Sequence, residues 1–197
     1  MELFIRFLFE NPSFYFSWVS SIIVSICLHE FSHAFMAHEF GDDTASSQGH
    51  LTLNPIKQMG LISLGCLLLF GICWGAVPVT QNKVSRSGAA VISAAGPLAN
   101  LSLAILCAAL LRFFPWTPLL IAMQANCLLF LFNVLPIPNL DGWGIIEPFV
   151  PVMRNLSEEA RSKCFRWFIF LLWFTPASKL FLLFNNEMVR LLLPQFH

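Results

Sequence analysis

The chain has 197 residues, 57% of them hydrophobic and only 11% charged, and its formal net charge is zero. Soluble domains carry roughly 25% charged residues, so this composition points to an integral membrane protein. No basic stripe or aromatic–basic interleaving runs along it, which excludes nucleic acid as a partner.

Hydropathy divides the chain into five apolar blocks. The reading is an all-α membrane protein, a polytopic bundle of four to five transmembrane helices in one domain over 1–197. The first block, about 13–39, opens on the helix-start signal Asn11-Pro12-Ser13. Ahead of it, Glu2 and Glu10 stand where a signal peptide would be basic, so the first span is expected to remain in the mature protein. The second block, about 61–79, is punctuated by Gly65, Gly71 and Gly75 and ends near Pro78. The third, about 88–114, contains Gly96-Pro97. The fourth, about 118–138, follows Pro115-Trp116-Thr117-Pro118. The fifth, about 165–184, is interrupted by Thr175-Pro176 and reads as an extra C-terminal transmembrane helix beyond a core at about 13–150. Residues 185–197 read as a short interfacial helix, and Trp167 and Trp173 as membrane-boundary anchors. The six cysteines form no C-x-x-C and read as small apolar fillers.

Inside the first block stands His29-Glu30-Phe31-Ser32-His33. Ionisable side chains are costly in a lipid-embedded helix, so they mark function by default. On a helix, residues four apart lie about 40° from each other around the axis. His29 and His33 can therefore present ring nitrogens to one metal, with Glu30 close enough to work on a water without ligating. A catalytic zinc takes three protein ligands and keeps one position open. Asp141 is the strongest third candidate. It follows Asn133-Val134-Leu135-Pro136-Ile137-Pro138-Asn139-Leu140, where two prolines unwind the fourth helix, and it precedes Gly142, where the backbone can turn tightly. Weaker candidates are His38, rotated about 140° from His33, His50 and Glu39 beside the polar loop, Asp42 and Asp43 in a solvated turn, and the terminal His197.

For His29, His33 and Asp141 to share a metal, the first and fourth spans must run in the same direction. One intervening block must then fail to cross. The glycine-punctuated block at about 61–79 is the expected one, as a re-entrant or hairpin-like element tolerated by packing against protein. With four crossings, Lys57, Lys83, Arg86, Arg154, Arg161, Lys163 and Arg166 fall on the metal side and Arg6, Arg112 and Arg190 on the other. The positive-inside rule makes the metal side cytoplasmic.

Four ordered features over about residues 20–150 resemble the site-2 protease family of intramembrane zinc metalloproteases. They are the HEFSH motif, Gly96-Pro97-Leu98-Ala99-Asn100, the stretch from Asn133 to Gly142, and Gly41-Asp42-Asp43-Thr44-Ala45 with Leu51-Thr52-Leu53-Asn54-Pro55. The last of these, together with Trp74-Gly75-Ala76-Val77-Pro78-Val79, resembles the compact prokaryotic branch that lacks a PDZ domain. The resemblance implies one zinc ion per chain on His29, His33 and Asp141, with Glu30 activating the water. It places Asn100 and Asn133 near the active site, where each amide could bond a substrate backbone or an oxyanion, or could instead join helices, Asn100 doing so beside Gly96. It implies a transmembrane protein as substrate, cleavage within or near its spans, and a multi-pass place in a prokaryotic cell membrane. His50, Gln58-Met59-Gly60 and Val77 depart from the branch pattern, which often has arginine, histidine-aspartate-proline and lysine there. A zinc-binding adaptor without catalysis, a small transporter and a tethered peptidase for soluble substrates are the competing readings.

Overall fold

The computed structural model describes residues 3–78 and 84–193. Val79, Lys83 and His197 lie outside the described residues. As expected, the described chain is all helix, turn and coil, without strands.

Helix α1 is Pro12–Glu39, 28 residues, or about 42 Å at 1.5 Å per residue. Its start is built as the sequence dictates: the Asn11 side chain accepts from the Phe14 N–H at 3.1 Å, with Pro12 in the first turn. Serine hydroxyls along the apolar helix bond back one turn, as Ser25 does to the Ser21 carbonyl at 2.6 Å. That satisfies them without water.

Helix α2, Gly60–Phe70, has only 11 residues and a length of about 16 Å, half a hydrocarbon core. Gly71 ends it in the left-handed conformation at φ 75°, which glycine adopts without a steric penalty. The chain then returns extended along the helix. Ser63 Oγ accepts from the Trp74 N–H at 2.8 Å and donates to the Trp74 carbonyl at 2.6 Å. The Ala76 N–H reaches the Gln58 carbonyl at 3.2 Å. The Trp18 indole N–H donates to the Gly71 carbonyl at 3.0 Å, and the Tyr15 hydroxyl to that of Leu68 at 3.1 Å. These bonds pin the tip against α1 and meet polar backbone that lipid could not. The second apolar block is thus the hairpin its glycines suggested.

Helix α3, Arg86–Leu111, has 26 residues and runs antiparallel to α1. Gly88 lies against Phe40, Ile92 meets His33, and Asn100 meets Ser25 and His29. Gly96, Asn100, Ala104 and Ala108 are buried at four-residue spacing, so one face of small residues lets the neighbouring helices approach closely. Helix α4, Thr117–Asn133, turns back along α3 and therefore runs parallel to α1, where Ala125 packs with Ile22 and Ile26. Pro136 and Pro138 stop it, and Asn139 takes a left-handed φ of 68°. Helix α5, Asp141–Ile146, starts on the aspartate. At Gly142 a Cβ would overlap the carbonyls of Val134 and Leu135, so only glycine lets this turn fold back on the end of α4.

Two of the five blocks, α1 and α3, are single helices long and apolar enough to cross a bilayer. The other apolar blocks are shorter or broken helices among the described residues. The fourth block is 17 residues because its prolines end it early, short of the roughly 20 a straight crossing needs. The fifth divides into α6, Glu158–Phe174, and α7, Ala177–Leu192, bent by 81° at Thr175-Pro176. Counted as one span, that pair gives a third candidate. Helix α7 reaches Leu192, so the helical stretch expected from 185 is the second half of a longer element. It packs on α4 through a cluster that includes Met188, Val189, Met123 and Cys127.

Arg161 ties α6 to the turns after α5. It bonds Glu147 Oε1 at 2.6 Å and the Leu156 carbonyl at 3.1 Å, and its guanidinium lies over the Trp143 ring. Glu147 is buried. Arg161→Met strands that carboxylate, so a loss of about 3 kcal/mol is expected from breaking a buried pair. Glu147→Gln in the same background should recover part of it, read by thermal unfolding in detergent.

Candidate metal centre

His29 and His33 lie one turn apart on the buried face of α1, and Asp141 closes on them from the start of α5. The His29 and His33 Nε2 atoms are 3.1 Å apart. Asp141 Oδ2 lies 3.0 Å from the first and Oδ1 3.2 Å from the second. Among the described residues this is the one group of three whose donor atoms could hold a metal ion, all within 4.8 Å of one another. The matched depth requires α1 and α4 to be parallel, as the packing has them.

The outer nitrogens determine what these atoms can do. His29 Nδ1 faces Asn100 Oδ1 at 2.6 Å, and His33 Nδ1 faces the Ile92 carbonyl at 2.7 Å. Both partners are acceptors, so each neutral ring carries its proton on Nδ1 and points a bare lone pair from Nε2. Asp141 Oδ2 is correspondingly buried without a hydrogen-bond donor, although His29 Nε2 is beside it. Two ring nitrogens and a carboxylate converge at about 3 Å, and a shared cation is what holds such a group together. His-His-Asp is also a donor set suited to catalytic zinc. The residues fit the ion.

Glu30 is buried beside the ligands and, with them, lines a cavity of about 510 Å³. The hairpin covers it closely, because a Cβ at Gly75 would overlap the Glu30 carboxylate. Asn133 lines the same cavity. Its Nδ2 donates to the Leu129 carbonyl at 3.0 Å, which uses one of its two N–H groups and leaves the other available. Ser85, Arg86, Asn139 and Arg154 also line the cavity and provide polar surface where water can enter.

Two relatives carry the name "Putative zinc metalloprotease". YwhC of Bacillus subtilis is 38% identical over 194 residues, covering 87% of this chain and 86% of its own. Rip2 of Mycolicibacterium smegmatis is 35% identical over 179 residues, covering 81% of this chain and 67% of its own. The chain belongs to this zinc metalloprotease family. No protein-family model matches it, and no solved structure does.

Within the metalloprotease, Asn100 is not on the cavity wall. It is 0% exposed, and its amide is shared among His29, the Ser25 carbonyl and Asn126. It therefore joins three helices and holds His29 from behind, away from the cavity. His38 is exposed and paired with Asp43. His50 gives its carbonyl to the buried Gln58 at 2.9 Å. Asp42 corrects the solvated-turn reading, since it is 0% exposed. After α1 the chain folds back so that the Asp42 N–H meets the Ala37 carbonyl at 2.8 Å and its carboxylate caps the Thr44 N–H at 3.0 Å. Asn126 and Ser93 carry no motif and emerge only in three dimensions: the first behind Asn100, the second on the cavity wall against Gly144.

Proposed function

We propose that this zinc metalloprotease is of the site-2 type, an intramembrane endopeptidase that cuts peptide bonds within or near the transmembrane segments of membrane-protein substrates. The observation that carries the reading is the position of the site. His29, Glu30 and His33 face a polar cavity from the interior of an apolar helix long enough to span a bilayer. A soluble peptide has little access there, whereas a neighbouring transmembrane segment is already in the same phase.

One zinc ion held by His29, His33 and Asp141 supplies Lewis acidity to a water and to the scissile carbonyl. Glu30 takes the proton from the attacking water on its carboxylate and delivers it to the leaving amine nitrogen. The remaining Asn133 N–H is available to the substrate backbone or to the developing oxyanion. A helical substrate hides its carbonyls in i to i−4 bonds and must unwind first, so helix-breaking residues near the cut favour cleavage. The chain is read as multi-pass in a prokaryotic cell membrane. The basic residues Lys57, Arg86 and Arg154 near the site end support a cytoplasmic-facing centre by the positive-inside rule.

The test is cleavage of a transmembrane reporter by protein reconstituted in liposomes. Glu30→Gln is expected to lower turnover at least about 1,000-fold, within the range for a lost general base, with zinc content unchanged. Full turnover in a zinc-loaded Glu30→Gln protein would remove Glu30 from the chemistry. A zinc-loaded wild type that cleaves no transmembrane reporter would favour the adaptor reading, and equal cleavage of a soluble peptide would favour a tethered peptidase.

A further inference from the structure

We propose that Asn126 is a positioning residue that fixes which nitrogen of His29 carries the proton, acting through Asn100. The buried chain of bonds has one permitted polarity. Asn126 is 2% exposed on α4, and its Nδ2 donates to the Ala122 carbonyl at 2.8 Å. A carbonyl only accepts, so the Asn126 nitrogen must face it and Oδ1 must face α3. Asn100 meets that oxygen with Nδ2 at 3.0 Å, while the Ser25 carbonyl stands 3.4 Å from the same nitrogen. Both neighbours accept, so Asn100 turns its own Oδ1 to His29, 2.6 Å from Nδ1. His29 must then donate from Nδ1, so the neutral ring offers its lone pair from Nε2. The instruction begins at a backbone carbonyl on α4 and ends at the atom facing His33 and Asp141.

Without Asn126 the amide of Asn100 has only the long contact to Ser25 to orient it. Flipped, it presents Nδ2 to His29 Nδ1, which must then accept, and the proton moves to Nε2. A protonated Nε2 is no metal ligand. The consequence for zinc rests on the proposed role of His29 as a ligand, whereas the consequence for the proton does not.

The experiment uses full-length protein in detergent micelles with ¹⁵N-labelled histidine, stripped of zinc and kept in mildly alkaline buffer. His29 is assigned by difference against His29→Asn. Wild type is expected to carry the His29 proton on Nδ1. Asn126→Leu is expected to shift it towards Nε2 and to weaken zinc binding about tenfold, the lower end for residues that orient a ligand from behind. Asn126→Asp restores both, because a carboxyl oxygen, ionised or not, accepts from Asn100 Nδ2 as the amide oxygen did. A purely structural Asn126 would change the unfolding temperature and leave the proton on Nδ1. A wild-type His29 with no proton on Nδ1 overturns the proposal, as does Asn126→Leu that keeps the Nδ1 proton of wild type. If Asn126→Leu does not fold, Asn126→Asp decides: a folded variant with the proton on Nε2 also overturns it. Wild type with the Nδ1 proton that takes up no zinc would refute the zinc-ligand reading and leave the relay standing.

Discussion

Purified Asp141→Ala is expected to lose its zinc after chelator washes that leave wild type near one ion per chain. The fall in affinity should be about 100-fold or more, beyond the roughly 10- to 100-fold that removing a mere orienting partner costs. The reason lies in the charge of the site. His29 and His33 contribute neutral lone pairs 3.1 Å apart, and Asp141 is the one anion among the three. Without it, two bare nitrogens remain, which is too few ligands for a catalytic zinc site. The fold should survive, because Asp141 starts a helix of only 6 residues whose turn is held by Gly142 against Val134 and Leu135. Circular dichroism at wild-type amplitude and elemental analysis of the same sample check both halves. Retained zinc would move the third ligand elsewhere and remove the reason for α1 and α4 to end at one depth.

The residues of the candidate site are legible because their identities are improbable where they stand. Charge in an apolar block is conspicuous, and the four-residue spacing of His29 and His33 needs only helical geometry. Asp141 stands out by its setting, after two prolines that unwind α4 and before a glycine that turns the chain, and a depth shared with the histidines then requires the hairpin at Gly60–Phe70 and the return beyond it. Asn126 was not legible, since its partner is 26 residues away and no spacing rule links them. A signal existed all the same: an uncharged amide in the middle of an apolar helix is itself expensive. Asp42 was misplaced because a glycine-aspartate turn looks solvated in sequence, while its burial comes from the chain folding back over the end of α1. At α4 and at the α6–α7 bend the apolar blocks outrun their helices for a similar reason. Hydropathy measures apolar length, but proline decides where a helix stops.

Gly96→Ala puts the contact between α3 and the metal site to the test. In the interior of a helix, alanine is favoured over glycine by about 0.5–1 kcal/mol, so helix propensity alone predicts a slightly stabler protein. Position 96 is different because of what faces it. A Cβ there would overlap the Nε2 atoms of both His29 and His33. Neither ring can swing aside freely, since Asn100 holds one Nδ1 at 2.6 Å and the Ile92 carbonyl holds the other at 2.7 Å. Either the rings leave those acceptors, or α3 moves away from α1 and takes Asn100 with it. Both outcomes disperse the lone pairs that meet Asp141. The expected result is a protein that folds with a lower unfolding temperature than wild type when both are zinc-free, because overpacking and stranded ring acceptors outweigh the propensity gain, and whose zinc affinity is lower by about 100-fold, again beyond the loss of an orienting contact. A matched substitution on the lipid side of the same helix, Leu98→Ala, should leave zinc binding unchanged, because Leu98 is half exposed and faces away from the rings. Wild-type zinc affinity in Gly96→Ala would mean that α3 does not pack against the ligands as closely as the structure has it. The whole placement of the third block beside the HEFSH helix would then need revision.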